Sequence, residues 1–195
     1  DCVGAQGAAN VGNSHPKVLE AIQTQSERIM LCPAGWFNDQ RAQLHAKLAE
    51  LAPGTLNRSF LCNSGAEAVE GALKFARLGT GRTKLVATMR GFHGRTMGAL
   101  SATWNKKYRG PFGPLIPGFS HVPYNNLEKL DAAVTEETAG VILEIVQGEG
   151  GVRPGSTEYL QGAQKICRDR GAMLIVDEIQ TGFARTGKMF ACEHY

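Results

Sequence analysis

Two rhythms of apolar residues alternate along the chain. Short, nearly continuous apolar runs predict strands at 57–63 (NRSFLCN), 84–89 (KLVATM), 119–123 (FSHVP), 140–146 (GVILEIV) and 172–178 (AMLIVDE). Between them the apolar residues spread out to the helical period. In 64–79, Val69, Leu73 and Ala76 recur at i, i+4 and i+7, and Gly79 supplies a stop. Leu127, Leu130 and Val134 mark another helix, and 156–171 (STEYLQGAQKICRDRG) a third. Ahead of the first strand, 16–31 and 39–54 read as amphipathic helices. Pro16 opens one; Leu44, Leu48 and Leu51 stripe the other, which Pro53-Gly54 closes. The stretch 104–118 (WNKKYRGPFGPLIPG) is too rich in Gly and Pro for an element and is expected to be a long loop. Strands apolar on both faces, alternating with helices, indicate an α/β fold with a mostly parallel sheet covered on both sides.

Composition narrows the function classes. The 195 residues are 43% hydrophobic and 20% charged, enough for one sizeable core. Twenty-one Lys and Arg against 18 Asp and Glu, with no basic run, do not suggest nucleic acid as a partner. No apolar stretch approaches the roughly 18 residues that a membrane span needs. Cysteines 2, 32, 62, 167 and 192 are scattered and never in C-x-x-C. That fits a reducing, cytoplasmic compartment and argues against a disulfide frame or a zinc knuckle. A first residue other than Met, and an ordinary composition at Cys-Glu-His-Tyr, suggest an internal segment of a longer chain.

Ligands of parallel sheets bind where the strands end. Three unusual stretches sit at such exits. In CNSGAEA, Ser64 and Glu67 make an S-x-x-E capping box; beyond that plainer role, Gly65 lets an anion approach the free amides of Gly65 and Ala66. In RGFHGRT, Phe92 between glycines can lie against a planar ligand and Arg95 offers a fork for a carboxylate; the plainer reading is a glycine-rich turn with a core Phe. In LIVDEIQTG, a buried strand ends on Asp177, which desolvation penalises unless a partner meets it. Asp177 could cap a turn, hold magnesium, or pair with a protonated heterocycle, with Gln180 and Ile179 also near the ring. The magnesium reading draws on GFARTGKM (182–189), one residue short of a phosphate loop because Met189 replaces the hydroxyl.

Taken together, NSGAEAVEGALKFAR, GFHGRTMGALSAT, EIVQGEGGV and LIVDEIQTGFARTGKMFACEHY resemble the class III, ornithine-type aminotransferases, most nearly the acetylornithine and carrier-bound-lysine branches. The resemblance implies the large domain of fold type I, with five of seven strands present, and pyridoxal 5'-phosphate as cofactor. It implies an N-terminal helical segment over 1–56, a partial cofactor-binding domain over 57–195, and a small domain outside the chain. Ser64, Gly65 and Ala66 would hold the phosphate. Phe92 and Ile179 would sandwich the ring, Asp177 would pair with its nitrogen and Gln180 with its phenolic oxygen. Arg95 would take a substrate carboxylate. Glu149 would help switch between amino donor and dicarboxylate acceptor, and Glu144 would support Gln180 or the ring. Two departures stand out. Ile145 occupies a position where proline is usual, and the Schiff-base lysine would lie beyond Tyr195, since Lys188 matches a loop lysine. The implied activity is ω-amino transfer from an ornithine- or lysine-like donor to 2-oxoglutarate, with 4-aminobutyrate as an alternative donor. A homodimer is implied, and residues 1–195 alone would not turn over. A nucleotide hydrolase and a non-catalytic binding module are the competing readings.

Overall fold

The computed structural model describes residues 4–195. Cys2, one of the five cysteines, and the first residues of the 1–56 segment lie outside that range.

Helices α1 (Pro16–Ser26) and α2 (Asp39–Leu51) come first, and neither buries a residue fully. Pro16 starts α1, where a missing amide costs nothing. Asn38 caps α2 by accepting the Arg41 amide at 2.8 Å. Next come α3 (Gly65–Thr80), β1 (Lys84–Thr88), α4 (Met97–Ala102), α5 (Lys106–Arg109), β2 (Phe119–Val122) and α6 (Leu127–Ala133). The chain continues through β3 (Thr138–Glu144), a short β4–β5 ribbon (Val146–Gln147 and Arg153–Pro154), α7 (Thr157–Asp169) and β6 (Met173–Asp177).

The main sheet has the order β2-β1-β3-β6, and every pairing is parallel. All seven residues of β3 are buried, as a central strand between two helical layers requires. One layer sets Val69, Leu73 and Ala76 of α3, with Ala99 and Ala102 of α4, against Leu85, Ala87 and Ile142. The other packs Leu130, Tyr159, Leu160, Ala163 and Cys167 against Val86, Val141 and Leu143. Leu85 and Val86 thus serve opposite faces, which explains the unbroken apolar run.

Two expectations fail, for identifiable reasons. Among the described residues, 57–63 form no strand, so the main sheet has four strands rather than five. No neighbouring strand pairs with them, and Phe60 remains 70% exposed. An apolar run without a hydrogen-bonding partner is only extended chain. Conversely, the expected loop at 104–118 contains α5, because Asn105 accepts the Lys107 amide at 2.9 Å and starts a helical turn. The sequence reading also missed α4, whose six residues are too few to show a period.

The strand order positions the site. From β1 the chain moves outward to β2, then returns to place β3 and β6 on the other side of β1. Loops leaving β1 and β3 therefore diverge and open a crevice at the carboxyl edge of the sheet.

Candidate active site

A cavity of ≈1020 Å³ fills that crevice. Ser64, Gly65, Ala66, Phe92, Arg95, Glu149, Asp177, Ile179 and Gln180 all line it, so the three stretches converge on one cavity, although the first of them follows no strand.

Asp177 ends β6 with its side chain 6% exposed. One oxygen, Oδ1, accepts the Ile179 amide at 3.1 Å; the other, Oδ2, lies 2.8 Å from Nδ1 of a fully buried His93. The sequence reading overlooked His93, which comes from the β1 exit. Its signal was a titratable ring inside a glycine-rich exit. The His93 amide donates to Thr103 Oγ1 at 2.9 Å, and that hydroxyl donates to Gly94 O at 3.0 Å, so the His93 backbone is anchored as well as its ring. A carboxylate has about four acceptor sites, so two bonds leave Asp177 able to accept another from the cavity.

Glu144 ends β3 directly across from Asp177 in the ladder, which puts both carboxyls on one side of the sheet edge. It is 5% exposed, and Oε2 accepts the Phe92 amide at 3.2 Å. Burial pushes its carboxyl up from 4.5 to about 7; Asp177 adds to the rise and His93 opposes it. Where proline was expected, Ile145 is a buried bend. Tyr124 Oη sits 2.7 Å from Glu144 O and 2.9 Å from Ile145 O, and the Gly155 amide donates to Ile145 O at 2.9 Å. Side-chain and backbone hydrogen bonds thus shape the exit without a proline.

The start of α3 forms another wall. Ser64 Oγ accepts the Glu67 amide at 3.2 Å, as predicted, but the Glu67 carboxylate reaches the Asn63 amide at 2.7 Å rather than that of Ser64. The first-turn amides of Gly65 and Ala66 have no acceptor within the helix, as at any helix start. Gly65 has a packing reason as well: a β-carbon there would sit 3.0 Å from Ile179 Cγ2. Gly94, at φ +126, brings the RGFHGRT loop against α3, where an added β-carbon would lie 2.8 Å from Ala66 Cβ. Glu70 anchors the same loop from α3, its Oε1 accepting from Thr96 Oγ1 at 2.7 Å and the Gly98 amide at 2.8 Å. Gln180 lies across Gly148, where any β-carbon would overlap its Oε1.

Arg95 and Glu149 are exposed at the mouth, and among the described residues neither makes an ion pair. The supposed loop contributes too. Tyr108 stands edge-on to Phe92, with ring centroids 5.7 Å apart and planes at 73°, and Lys107 and Phe112 line the cavity beside it. Gln6 reaches it from the N-terminal segment.

The phosphate-loop alternative does not hold. Residues 182–189 run through turns into a short 3-10 segment at Ala191–His194, so no helix presents amides to a phosphate. Lys188 is tied to Glu193 O at 2.8 Å and does not line the cavity.

Residues 1–195 match the Aminotransferase class-III family. The chain belongs to that family. Among class-III relatives it is 55% identical over 197 residues to the [LysW]-aminoadipate semialdehyde transaminase of Deinococcus radiodurans, covering 100% of this chain and 46% of that one. It is 50% identical over 188 residues to the acetylornithine aminotransferase of Methanopyrus kandleri, covering 96% and 48%. The chain thus spans about half the length of the curated relatives it matches. Among solved structures, an ornithine aminotransferase from Toxoplasma gondii, described with PLP at partial occupancy in its active site, superposes with a TM-score of 0.89 at 33% identity, over 98% of this chain and 47% of that one. An omega-transaminase from Thermomicrobium roseum gives 0.94 at 32% identity, over 100% and 50%. The α/β architecture with a parallel sheet is the one these aminotransferases share.

Proposed function

We propose that the intact protein is a pyridoxal-phosphate-dependent transaminase that moves an ω-amino group from an acetylornithine-, ornithine- or lysine-like donor to 2-oxoglutarate. The observation that carries this reading is Asp177: a buried carboxylate, backed by His93, with acceptor capacity turned toward a cavity. A cationic ring nitrogen is the partner that such a group stabilises. The donor set fits the cofactor. Amides at the start of α3 suit its phosphate, and Phe92 and Ile179 both border space for a planar ring.

When bound, the cofactor supplies an electron sink for the bonds at the amino-bearing carbon. This chain's residues do the rest. Ser64, Gly65 and Ala66 hold the phosphate. Asp177 accepts from the ring nitrogen and keeps a proton there, while Gln180 donates to the phenolic oxygen. Phe92 and Ile179 exclude water from the ring faces. Arg95 receives the substrate carboxylate, and Glu149 faces the amino donor or gives way to the dicarboxylate acceptor. On this reading the Schiff-base lysine of the intact protein lies beyond Tyr195, and residues 1–195 alone would not turn over. We further read the intact protein as a cytoplasmic homodimer. Support for the dimer comes from exposed apolar side chains near α2, with Trp36 71% and Leu31 88% accessible. Among the described residues, no helix is long and apolar enough to cross a membrane.

The test is Asp177→Ala in the intact protein. Turnover should fall on the order of a hundredfold or more, with cofactor binding much less affected. Normal turnover would overturn the reading. Separately, pyridoxal phosphate at about 100 times its dissociation constant should stabilise the protein by roughly 2.7 kcal/mol, whereas ATP should leave the melting temperature unchanged.

A further inference from the structure

Gln147 is fully buried within EIVQGEGGV, yet it does not line the main cavity. Burying an amide costs free energy unless its polar atoms are met. Its Nε2 is met twice, donating to Met89 O at 2.9 Å and to Thr88 Oγ1 at 3.1 Å. Its Oε1 has no partner among the described residues. Thr88, the last residue of β1, is fully buried as well. A hydroxyl that accepts still has its own hydrogen to give.

The same corner holds the far side of His93. Nδ1 lies 2.8 Å from Asp177 Oδ2, while Nε2 is buried and has no partner among the described residues. Gly91 relates these atoms to one another: a β-carbon there would lie 2.9 Å from His93 Nε2 and 3.3 Å from Thr88 Oγ1. One hydroxyl hydrogen and two acceptors, His93 Nε2 and Gln147 Oε1, are thus gathered around β1's exit. A single bridging water suits them, accepting from Thr88 and donating to both acceptors. Three hydrogen bonds are what a buried water commonly makes.

The direction of these bonds decides what faces Asp177. An imidazole nitrogen that accepts a hydrogen bond carries no hydrogen, so a donor at Nε2 leaves the ring proton on Nδ1, the nitrogen beside the carboxylate. The opposite tautomer would set a bare Nδ1 against Oδ2, two acceptors 2.8 Å apart, and would turn the carboxylate off its line to the cavity.

We propose that Thr88 and Gln147 are positioning residues for Asp177. Acting through one buried water, they hold His93 in the tautomer that donates to the carboxylate. The inference rests on the transaminase reading for its consequence, because there Asp177 faces the ring nitrogen of the cofactor.

The test is nitrogen NMR on the intact, cofactor-free protein carrying isotope-labelled histidine, with the His93 resonances assigned by their loss in His93→Gln. Wild type should show hydrogen on Nδ1 and an Nε2 that accepts a hydrogen bond. Thr88→Val keeps the shape and loses the hydroxyl, so its Nε2 resonance should move to that of a nitrogen without a donor. Gln147→Met should move it too, whereas Thr88→Ser should leave it in place. Thr88→Ala gives the same reading if the valine variant fails to fold. In the cofactor-loaded enzyme, Thr88→Val should lower kcat about tenfold, the worth of one hydrogen bond, with KM little changed and with recovery in Thr88→Ser. Hydrogen on Nε2 in wild type, a resonance unmoved by the Thr88 or Gln147 substitutions, or wild-type kcat in a variant whose resonance has moved overturns the proposal. Failure of the wild-type protein to bind pyridoxal phosphate would instead sink the transaminase reading, and the cofactor-free spectra would still report on the donor chain.

Discussion

Replacing Glu144 with Gln should remove a pH dependence that the wild-type fold carries. Burial raises this carboxyl from its ordinary 4.5 to about 7, helped by Asp177 and opposed by His93 and the amides of Phe92 and Gly148. Between those two values the folded protein keeps a proton that the unfolded chain releases. Stability from this group is therefore complete below about pH 4.5 and is lost as pH rises through about 7. At roughly 1.4 kcal/mol per tenfold in proton affinity, the whole loss is about 3 kcal/mol, of which about 2–3 falls between pH 5 and 8. A glutamine at this position would be neutral throughout, and its amide oxygen can still accept the Phe92 N–H.

The assay is urea unfolding of the cofactor-free protein at intervals from pH 5 to 8. Other groups titrate across that range, so the quantity to follow is the stability of Glu144→Gln minus that of wild type. It should climb by about 2–3 kcal/mol from the acid to the alkaline end. A difference that stays flat within about 0.5 kcal/mol would show that the folded carboxyl ionises at an ordinary pH. Burial would then not be raising its affinity for the proton, and the account of the cavity floor would be wrong.

Four further outcomes follow from the geometry. Gly94→Ala combines φ +126 with a β-carbon 2.8 Å from Ala66 Cβ, so it should cost at least about 2 kcal/mol in urea unfolding; wild-type stability would refute the close approach. Gly148→Ala meets only the far end of the Gln180 side chain, so the fold should change by less than about 1 kcal/mol while the thermal shift on adding pyridoxal phosphate shrinks. Tyr124→Phe leaves Glu144 O and Ile145 O without their hydroxyl donor and should cost about 1–2 kcal/mol, read by the unfolding midpoint. Arg95→Ala in the intact enzyme should raise KM for carboxylate substrates; an unchanged KM would refute its assigned role.

Local pattern carried most of the fold. The core faces of α3, α6 and α7 repeat at helical spacing, and the buried strands are plain apolar runs, so both survive without knowledge of the neighbours. Residues 57–63 misled because an apolar run does not state whether a partner strand exists. The six residues of α4 were too few to declare a period, and Asn105 hid a helical turn inside a Gly- and Pro-rich stretch. The site divides the same way. Residues at strand exits could be named from composition and resemblance, whereas Tyr108 and Gln6 reach the cavity only through tertiary folding.

His93 is the most instructive omission, because it bears on why Asp177 can end a buried strand at all. The two groups are 84 positions apart, and nothing local in LIVDEIQTG announces an imidazole. Strand register sets the problem: β3 and β6 deliver Glu144 and Asp177 to the same edge, where two buried negative charges would repel. A proton held on Glu144 lessens that repulsion, and His93 Nδ1 lies 2.8 Å from Asp177 Oδ2. His93, however, occupies only one oxygen of Asp177. Among the described residues no Lys or Arg pairs with this carboxylate, and a buried negative charge of that kind favours a positively charged ring nitrogen over a neutral one. The same electrostatic arrangement that lets the strand end in an acid thus favours the protonated state on which the proposed chemistry depends.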